Sequence, residues 1–508
     1  MDTTHSPKTF LDKLLLAGVA VVLGVLFDYL FYRHIPGISF PLFIAFALVL
    51  LFVLHRYFGR RYGRLAVLSI VVLVFSVMVG IRASMLLTFL NTVLVFYLLL
   101  LLAGEAVAQR PFFRHFLIQN YVLAALVPLW HFVFYSLRTL GDLLSFQGAV
   151  HKRETSSQVL KGVVMALPVL VVFLLLFASA DLAFQKYLNN LVHLNLPPGF
   201  VPQAVIIAIV ALGSLGALAY VFMNRSDDMP QVLGEPKEIS RIGMVQVSVF
   251  LGLIDALFLV FILFQLKYLF GGQYNIVQQG FTYAEYAHRG FAELILVALI
   301  SLALITSAER YVDRRAESHS AAFKTVGLLL IVEVIVIMAS AFKRLDIYQQ
   351  AYGFTVLRFY VSAFIIWISA LFLAFGYKIF RHAKDQFFAQ SIFIGVIAFV
   401  LLMNLINPEA IIVRENIKHF RQTGKLDAAY FSQLSEDAVP AMMPLLGLPE
   451  GDTKTAVGQV LYDKWQSLQK NNSWQETNWS RSRANNLLDG RAAELMRYVG
   501  PPDQNETH

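Results

Sequence analysis

Two acidic residues stand in the middle of long apolar runs. Asp255 lies in MVQVSVFLGLIDALFLVFILF and Glu333 lies in VGLLLIVEVIVIMAS. Carboxyls at the centre of a membrane helix usually face the interior of the bundle and mark proton or ion pathways. The pattern therefore predicts a polar site at the membrane midplane, for a proton or cation relay or for a polar substrate. The alternative is that each carboxyl is protonated, hydrogen-bonds a neighbouring helix and serves only packing.

A second set of polar residues is expected at the outer ends of the helices. In FTYAEYAHRGFAEL the charged residues recur every four positions, so they share one helix face. The later stretch KRLDIYQQAYGFTVLR has a similar polar and aromatic character, and the two could line one external cleft. The candidate cleft residues are Glu285, Arg289, Glu293, Asp346, Tyr352 and Arg358. A carboxylate there could act as an acid or base, and the alternative is a plain interfacial anchor.

The composition requires a membrane fold to position these residues. Of the 508 residues, 57% are hydrophobic and only 15% are charged, which is far more apolar than a soluble domain. We expect an all-α, polytopic bundle of about 11 transmembrane helices, with 12 possible, and a small helical domain outside the membrane at the C-terminus. The expected spans are 11–31, 38–55, 64–81, 84–105, 158–180, 201–224, 243–269, 290–309, 321–342, 357–380 and 387–406.

One apolar stretch, 112–146, does not fit this scheme. Its flanks are basic on both sides, so we expect an interfacial or re-entrant helix, broken at Pro128. A twelfth crossing is the alternative. The expected units are the N-terminal helices at 1–110, the re-entrant segment with its loop at 111–157, the core bundle at 158–406 and the soluble helical domain at 407–508.

The basic loops predict the orientation. Arginine-rich connections such as 55–64 indicate a cytoplasmic N-terminus, and an odd number of crossings then puts the C-terminal domain outside the cytoplasm. The helices of Asp255 and Glu333 would then run in the same direction. Each carboxyl would lie about 12 residues, or about 18 Å, from the cytoplasmic end, so the two share one depth. Ser248, Gly252 and Ala256 predict a close helix contact beside Asp255.

Several classes of site are missing from the sequence. There is no P-loop, no H-E-x-x-H, no G-x-S-x-G and no kinase signature. Cysteine is absent and the histidines are scattered, so we expect neither a cofactor nor a metal site. The net charge of +8 is explained by the basic loops, and no nucleic-acid partner is expected. The expected partners are the lipid bilayer and other envelope proteins that contact the C-terminal domain.

Three segments carry a resemblance to a known family: FTYAEYAHRGFAEL, RLDIYQQAYGFTVLR and NPEAIIVRENIKHFRQTGKLDAAYFSQLSEDAVPA. Over roughly 240–445 the chain resembles a bacterial integral-membrane family, a domain of unknown function of the 4153/4173 type. The resemblance implies a protein of the bacterial cytoplasmic (inner) membrane and no established reaction. Family members often carry an aromatic residue where this sequence has Glu415, before Asn416.

Three functions remain open from the sequence. The first is transport, using the midplane residues. The second is a non-enzymatic scaffold or signalling accessory of the cell envelope, with the C-terminal domain as its recognition module. The third is a membrane enzyme that acts on a lipid-linked envelope substrate through the outer cleft. The missing catalytic motifs place the enzyme last.

Overall fold

The computed structural model describes residues 9–60, 62–63, 65–107, 116–144, 200–223, 243–269, 291–311, 320–381, 383–470 and 473–498. Within these ranges the secondary structure is helical and contains no β-strand. The expected all-α class is therefore confirmed.

Eleven apolar helices form the membrane part of the described chain. They are α1 (Phe10–Phe31), α2 (Ser39–Tyr57), α3 (Leu65–Ile81), α4 (Met85–Val107), α5 (Ile118–Leu144), α6 (Phe200–Met223), α7 (Met244–Leu269), α8 (Phe291–Tyr311), α9 (Ser320–Tyr352), α10 (Val356–Arg381) and α11 (Asp385–Ile406). Ten of them are long and apolar enough to cross a membrane, and α3 is a shorter apolar helix. The chain is thus a multi-pass helical membrane bundle, and the span expected at 158–180 lies outside the described residues.

The C-terminal residues form a compact helical unit with its own core. Its helices are α12 (Pro408–Thr423), α13 (Val439–Met442), α14 (Asp452–Gln469), α15 (Trp479–Asp489) and α16 (Ala492–Leu495). Phe431, Met442 and Leu461 are among its buried apolar side chains. Ser435 caps the 3-10 turn Glu436–Ala438, and Gly424 ends α12 with a φ of 71°. Pro440 lies in the first turn of α13.

The membrane helices pack in three groups. Helices α7, α8, α9 and α10 share one apolar core. Helices α2, α3 and α4 share a second core with α11 and the start of α5. Helices α1 and α6 form a third core with the ends of α2 and α4 and with α5. The candidate midplane residues both belong to helices of the first group.

Contacts of the C-terminal domain define the two faces of the bundle. The domain meets the α1–α2 connection, where Ile38 N donates to Thr477 O at 2.8 Å. It meets the α3–α4 connection, where the Asn478 side chain donates to Arg82 O at 2.8 Å, and also the α9–α10 connection. These three connections lie on one side, which we call the C-terminal face. Helix α1 begins at Phe10 on the opposite side, the N-terminal face.

Two tryptophans of the C-terminal domain lie beside the C-terminal face. Trp474 lies 6.4 Å, between ring centroids, from Tyr29 near the end of α1. Trp479 is 66% exposed although it adjoins Asn478, which binds the α3–α4 connection. Exposed tryptophans next to membrane helix ends are typical of the interfacial aromatic belt.

Helix α9 is ten residues longer than expected. The predicted span ended at 342, whereas the helix continues to Tyr352 through a polar stretch. Asp346 supports this extension, since it pairs with Lys343 at 3.6 Å and accepts from Gln350 at 3.0 Å, both at helical spacing. Gly353, with a φ of +78°, then ends the helix.

The expected helix break at Pro128 is wrong. Helix α5 runs without interruption for 27 residues and contains Pro128 in its interior. By length and composition it could cross a membrane. Membrane helices tolerate proline because neighbouring groups satisfy the backbone that the ring leaves unpaired.

The ends of α4 and α5 nevertheless lie on the same face. Val107 at the end of α4 and Tyr135 of α5 share a buried core with Phe58 and Phe222. Further along α5, Asp142 forms an ion pair with Lys13 of α1 at 2.8 Å. All of these contacts lie at the N-terminal face, so the chain leaves α4 and finishes α5 on one side. A re-entrant segment would have this arrangement.

We expect cysteines that flank this segment to be accessible from one side. The chain has no cysteine of its own, so Gln109→Cys and Gln147→Cys give a clean signal. An impermeant maleimide should label both from the same side, and it should label Ser482→Cys, on the exposed surface of α15, from the other. Labelling of Gln109→Cys and Gln147→Cys from opposite sides would show that the segment crosses.

Candidate functional site

Asp255 and Glu333 come from two neighbouring helices that run in parallel. Helices α7 and α9 pack against each other, and Ser340 of α9 donates to the side-chain oxygen of Gln265 of α7. Asp255 comes before Gln265 in α7, and Glu333 comes before Ser340 in α9. The two helices therefore run in the same direction. Counted back from that contact, Asp255 is ten residues along α7 and Glu333 is seven residues along α9, so the two carboxyls lie within about 5 Å of one depth. Each is roughly 16–20 Å along its helix from the N-terminal end of that helix, a distance close to half the thickness of a hydrocarbon core of about 30 Å.

Both carboxyls are buried and lack hydrogen bonds within the described part of the chain. Asp255 is 4% exposed and Glu333 is 3% exposed. None of their four oxygens has a hydrogen-bond partner there. Polar groups that are buried in a native protein are normally paired, so this pair is an exception that calls for a function or for a ligand.

The surroundings of the pair are apolar. Leu251 lies one turn from Asp255, and Leu330 and Val334 lie beside Glu333; all three are fully buried. The same buried face of α7 continues to Gln265. In a site of low dielectric, an unpaired carboxyl favours its neutral, protonated form over the charged form. The pair can therefore hold protons, and release of a proton would require an acceptor or a counter-charge beside it.

Among the described residues, the predicted small-residue ridge is not the face of α7 that contacts a neighbouring helix. A side chain at Gly252 would meet nothing within 4 Å among the described residues. Ala256 is exposed there as well. The buried face runs through Leu251, Asp255 and Ile262 instead. The contact with α9 therefore uses large residues and the carboxyl itself.

The outer cleft residues are only partly described, and those that are do not form one site. Glu285 and Arg289 lie outside the described residues. Glu293 is exposed in the first turn of α8. A Cβ placed on Gly327 would lie 3.7 Å from Ile305. Since α8 and α9 are antiparallel, this register puts Glu293 level with about Ser340 along α9, roughly two turns short of Asp346. The described residues thus give these two carboxylates no shared geometry for acid–base chemistry.

The remaining cleft candidates stabilise the end of α9. Arg358 donates to the carbonyl oxygens of Gly353 at 2.7 Å and of Tyr352 at 3.4 Å. Its guanidinium also lies 4.1 Å from the ring centroid of Tyr348. The Asn416 side chain binds the same turn. Its Oδ1 accepts from Phe354 N at 2.7 Å, and its Nδ2 donates to Phe354 O at 2.9 Å. Arginine at a helix C-terminus satisfies free carbonyl groups, so this role is structural.

An acidic contact that the sequence did not reveal joins the C-terminal domain to the bundle. One oxygen of Asp437 accepts from the backbone N–H groups of Ala83 and Ser84, at 3.0 and 2.9 Å. Its other oxygen lies 3.8 Å from the Arg82 guanidinium. Successive N–H groups of this kind form a nest for an anion, and the Asp437 side chain occupies it in a buried position.

Glu409 extends this junction. It accepts from the backbone N–H of Ser435 at 2.6 Å and from its hydroxyl at 2.7 Å. Burial raises the pKa of the Glu409 carboxyl, while the hydrogen bonds from Ser435 and Ser84 act against that rise. The contact fixes the turn that carries Asp437 against α12.

A second buried cluster, also unforeseen, lies at the N-terminal face. Lys378 at the end of α10 is 3% exposed and binds Glu309 of α8. It also pairs with Asp385 at the start of α11, at 2.8 Å. Charges in such a buried position are tolerated only when they are paired. The two ion pairs of Lys378 therefore join the ends of α8 and α10 to the start of α11. In the described residues, no three His, Asp or Glu side chains are grouped so that they could hold a metal ion.

Comparison with known families agrees with the resemblance in the sequence and extends it. A family model described as a domain of unknown function, DUF4153, matches residues 69–445. The match begins well before 240, where the resemblance was expected to start, and it includes most of α3 and all of α4, α5 and α6 but neither α1 nor α2. No curated protein and no solved structure matches the chain. Since the family model covers well over half of the 508 residues, the chain belongs to the DUF4153 family.

Proposed function

We propose that the protein is a transport-type membrane protein in which Asp255 and Glu333 take up and release a proton. One observation carries the proposal: two parallel, packed helices hold two buried carboxyls at nearly the same depth, and no described residue hydrogen-bonds them. Carboxyls inside a membrane bundle lower its stability, so such residues usually have a function.

Polar groups on either side of the pair support a route across the bundle. Toward the N-terminal face, the same group of helices carries the Glu309–Lys378 contact. Toward the C-terminal face, Gln265 and Ser340 bridge α7 and α9. Beyond them, Gln349 donates to Ser362 at 3.2 Å between α9 and α10. The four helices that carry these polar groups share one apolar core.

The orientation is part of the proposal. The basic loops favour a cytoplasmic N-terminal face and a C-terminal domain outside the cytoplasm of a bacterium, in its inner membrane. The same cysteine variants test this orientation when the impermeant maleimide is applied to intact cells. Ser482→Cys should be labelled, and Gln109→Cys should react only after the membrane is permeabilised.

A carbodiimide tests the midplane site directly, because this reagent modifies protonated carboxyls in apolar surroundings. Mass spectrometry of the purified protein should find the adduct on Asp255 or Glu333, with a yield that falls as the pH rises. The exposed Asp452 is the matched control and should stay unmodified. A yield that does not change with pH, or no adduct on either residue, would assign the pair to packing alone.

A second candidate is a scaffold or signalling accessory whose C-terminal domain binds other envelope proteins. The observation that favours it is the firm attachment of this domain to three connections of the bundle. In that case the amides Asp255→Asn and Glu333→Gln would leave the cellular phenotype unchanged, while removal of the C-terminal domain would abolish it.

A further inference from the structure

A cleft of about 480 Å³ lies between α12 and the rest of the C-terminal domain. Its charged lining is almost entirely basic: Arg414, Lys418 and Arg421 come from α12, and Arg483 comes from α15. The three residues of α12 are spaced by four and then three positions, so they share one helix face. Arg483 lies opposite them on α15, so the basic residues line a cleft between two helices and not one exposed helix face.

The cations of this cleft are not neutralised by the protein. Arg414, Arg421 and Arg483 form no ion pair with any residue that the structure describes. Within the described part of the chain, Lys418 pairs only with Glu415, at 3.5 Å, and it remains largely exposed. Asp437 is the one acidic residue among the described residues that line the cleft, and its carboxylate is already held by Arg82 and two backbone N–H groups. An anion from solution would therefore relieve the repulsion among these charges.

The cleft begins where the chain leaves the membrane. Asn407, at its near end, directly follows α11. Arg414 lies eight residues beyond Ile406, roughly 12 Å along the chain if the path is helical. The headgroup layer adds about 5–8 Å to each side of the hydrocarbon core. A headgroup phosphate at the near end would thus come within reach of Arg414.

We propose that this cleft binds a phosphate-bearing anion. Guanidinium groups bind phosphate through two parallel N–H donors, which is why arginine predominates in such sites. Three arginines on two helices can surround one anion, and the volume admits a phosphate or pyrophosphate group. The cleft lies outside the bundle and shares no residue with the Asp255–Glu333 pair, so it is a separate site.

Two arms of one experiment separate the sources of the phosphate. The detergent-solubilised full-length protein is titrated with sodium pyrophosphate, at ionic strength matched by sodium chloride, and separately with a short-chain phosphatidylglycerol. Phosphatidylcholine, which carries a phosphate but no net charge, is the lipid control. The readout is the melting temperature, followed by tryptophan fluorescence, together with native mass spectrometry of bound ligand.

The test variant combines Arg414→Gln, Arg421→Gln and Arg483→Gln. Its matched control, Lys425→Gln with Lys470→Gln and Arg497→Gln, removes the same charge from exposed positions of the same domain outside the cleft. We expect the wild type and the control to bind at least one of the two anions, and the cleft variant to bind it more than about 10-fold more weakly.

Each outcome has a meaning. Binding of phosphatidylglycerol in preference to phosphatidylcholine identifies a lipid headgroup, and binding of pyrophosphate alone identifies a soluble phosphate. Equal loss in the cleft variant and in the control shows unspecific attraction and overturns the proposal. The absence of any effect of either anion on the wild type overturns it as well. All six substituted side chains are exposed, so unliganded melting temperatures should be unchanged.

Discussion

Replacing Asp437 with alanine should destabilise the docked C-terminal domain by about 3 kcal/mol, more than any exposed acid of that domain. The side chain is almost completely buried and serves three groups at once, the Ala83 and Ser84 N–H groups and the Arg82 guanidinium. Alanine would leave two backbone donors without acceptors and an arginine without its counter-charge. The connection between α3 and α4 would then lose its anchor.

Thermal unfolding of the detergent-solubilised protein, followed by tryptophan fluorescence, measures this loss. Asp437→Asn keeps an acceptor oxygen for the N–H groups and should cost less. Asp452→Ala, in the exposed first turn of α14, should be close to neutral. If Asp437→Ala melts at the same temperature as Asp452→Ala, the proposed role of this contact is wrong.

The positions of the membrane helices followed from the sequence because lipid leaves few alternatives. A run of about 20 apolar residues must form its own backbone hydrogen bonds, and a helix is the simple solution. The predicted spans of α1 and α11 therefore agree with the structure to within two residues. The expected midplane depth of Asp255 and Glu333 rests on the same rule, since the rise of a helix converts residue count into distance, and it stays a prediction.

Two local features were misjudged because local rules compete with packing. Proline breaks helices in water, but Pro128 lies within the unbroken helix α5, which packs along α6. After residue 342 the apolar residues are sparse, but Leu345 and Tyr348 continue the buried face of α9 from Ala341 and pack in the core that α9 shares with α7, α8 and α10. An average over hydropathy values does not report such a sparse helical face.

The long-range contacts could not be predicted from spacing. Ala83 and Asp437 are 354 residues apart in the chain, and nothing near either residue indicates the other. The same holds for Arg483, which completes a cleft begun by three basic residues of α12. The spacing of Arg414, Lys418 and Arg421 was visible in the sequence, but only the folded domain shows that a second helix closes the site.

Loss of proton movement is the largest functional effect that the account predicts. Asp255→Asn combined with Glu333→Gln should lower proton flux to less than about a tenth of the wild-type rate. An amide has nearly the size of the carboxyl and still forms hydrogen bonds, so the bundle should insert and stay monodisperse. It cannot release a proton, and the relay would stop.

The most direct measurement uses vesicles that contain the purified protein and a trapped pH-sensitive dye. Potassium efflux through valinomycin makes the interior negative and draws protons inward. Wild-type vesicles should acidify faster than protein-free vesicles. The Glu415→Gln variant, altered at a partly exposed position of α12, should behave as wild type. The double amide should match the protein-free vesicles. Equal acidification by the double amide and the wild type, or no acidification by the wild type above the protein-free rate, would contradict a proton-carrying role for Asp255 and Glu333.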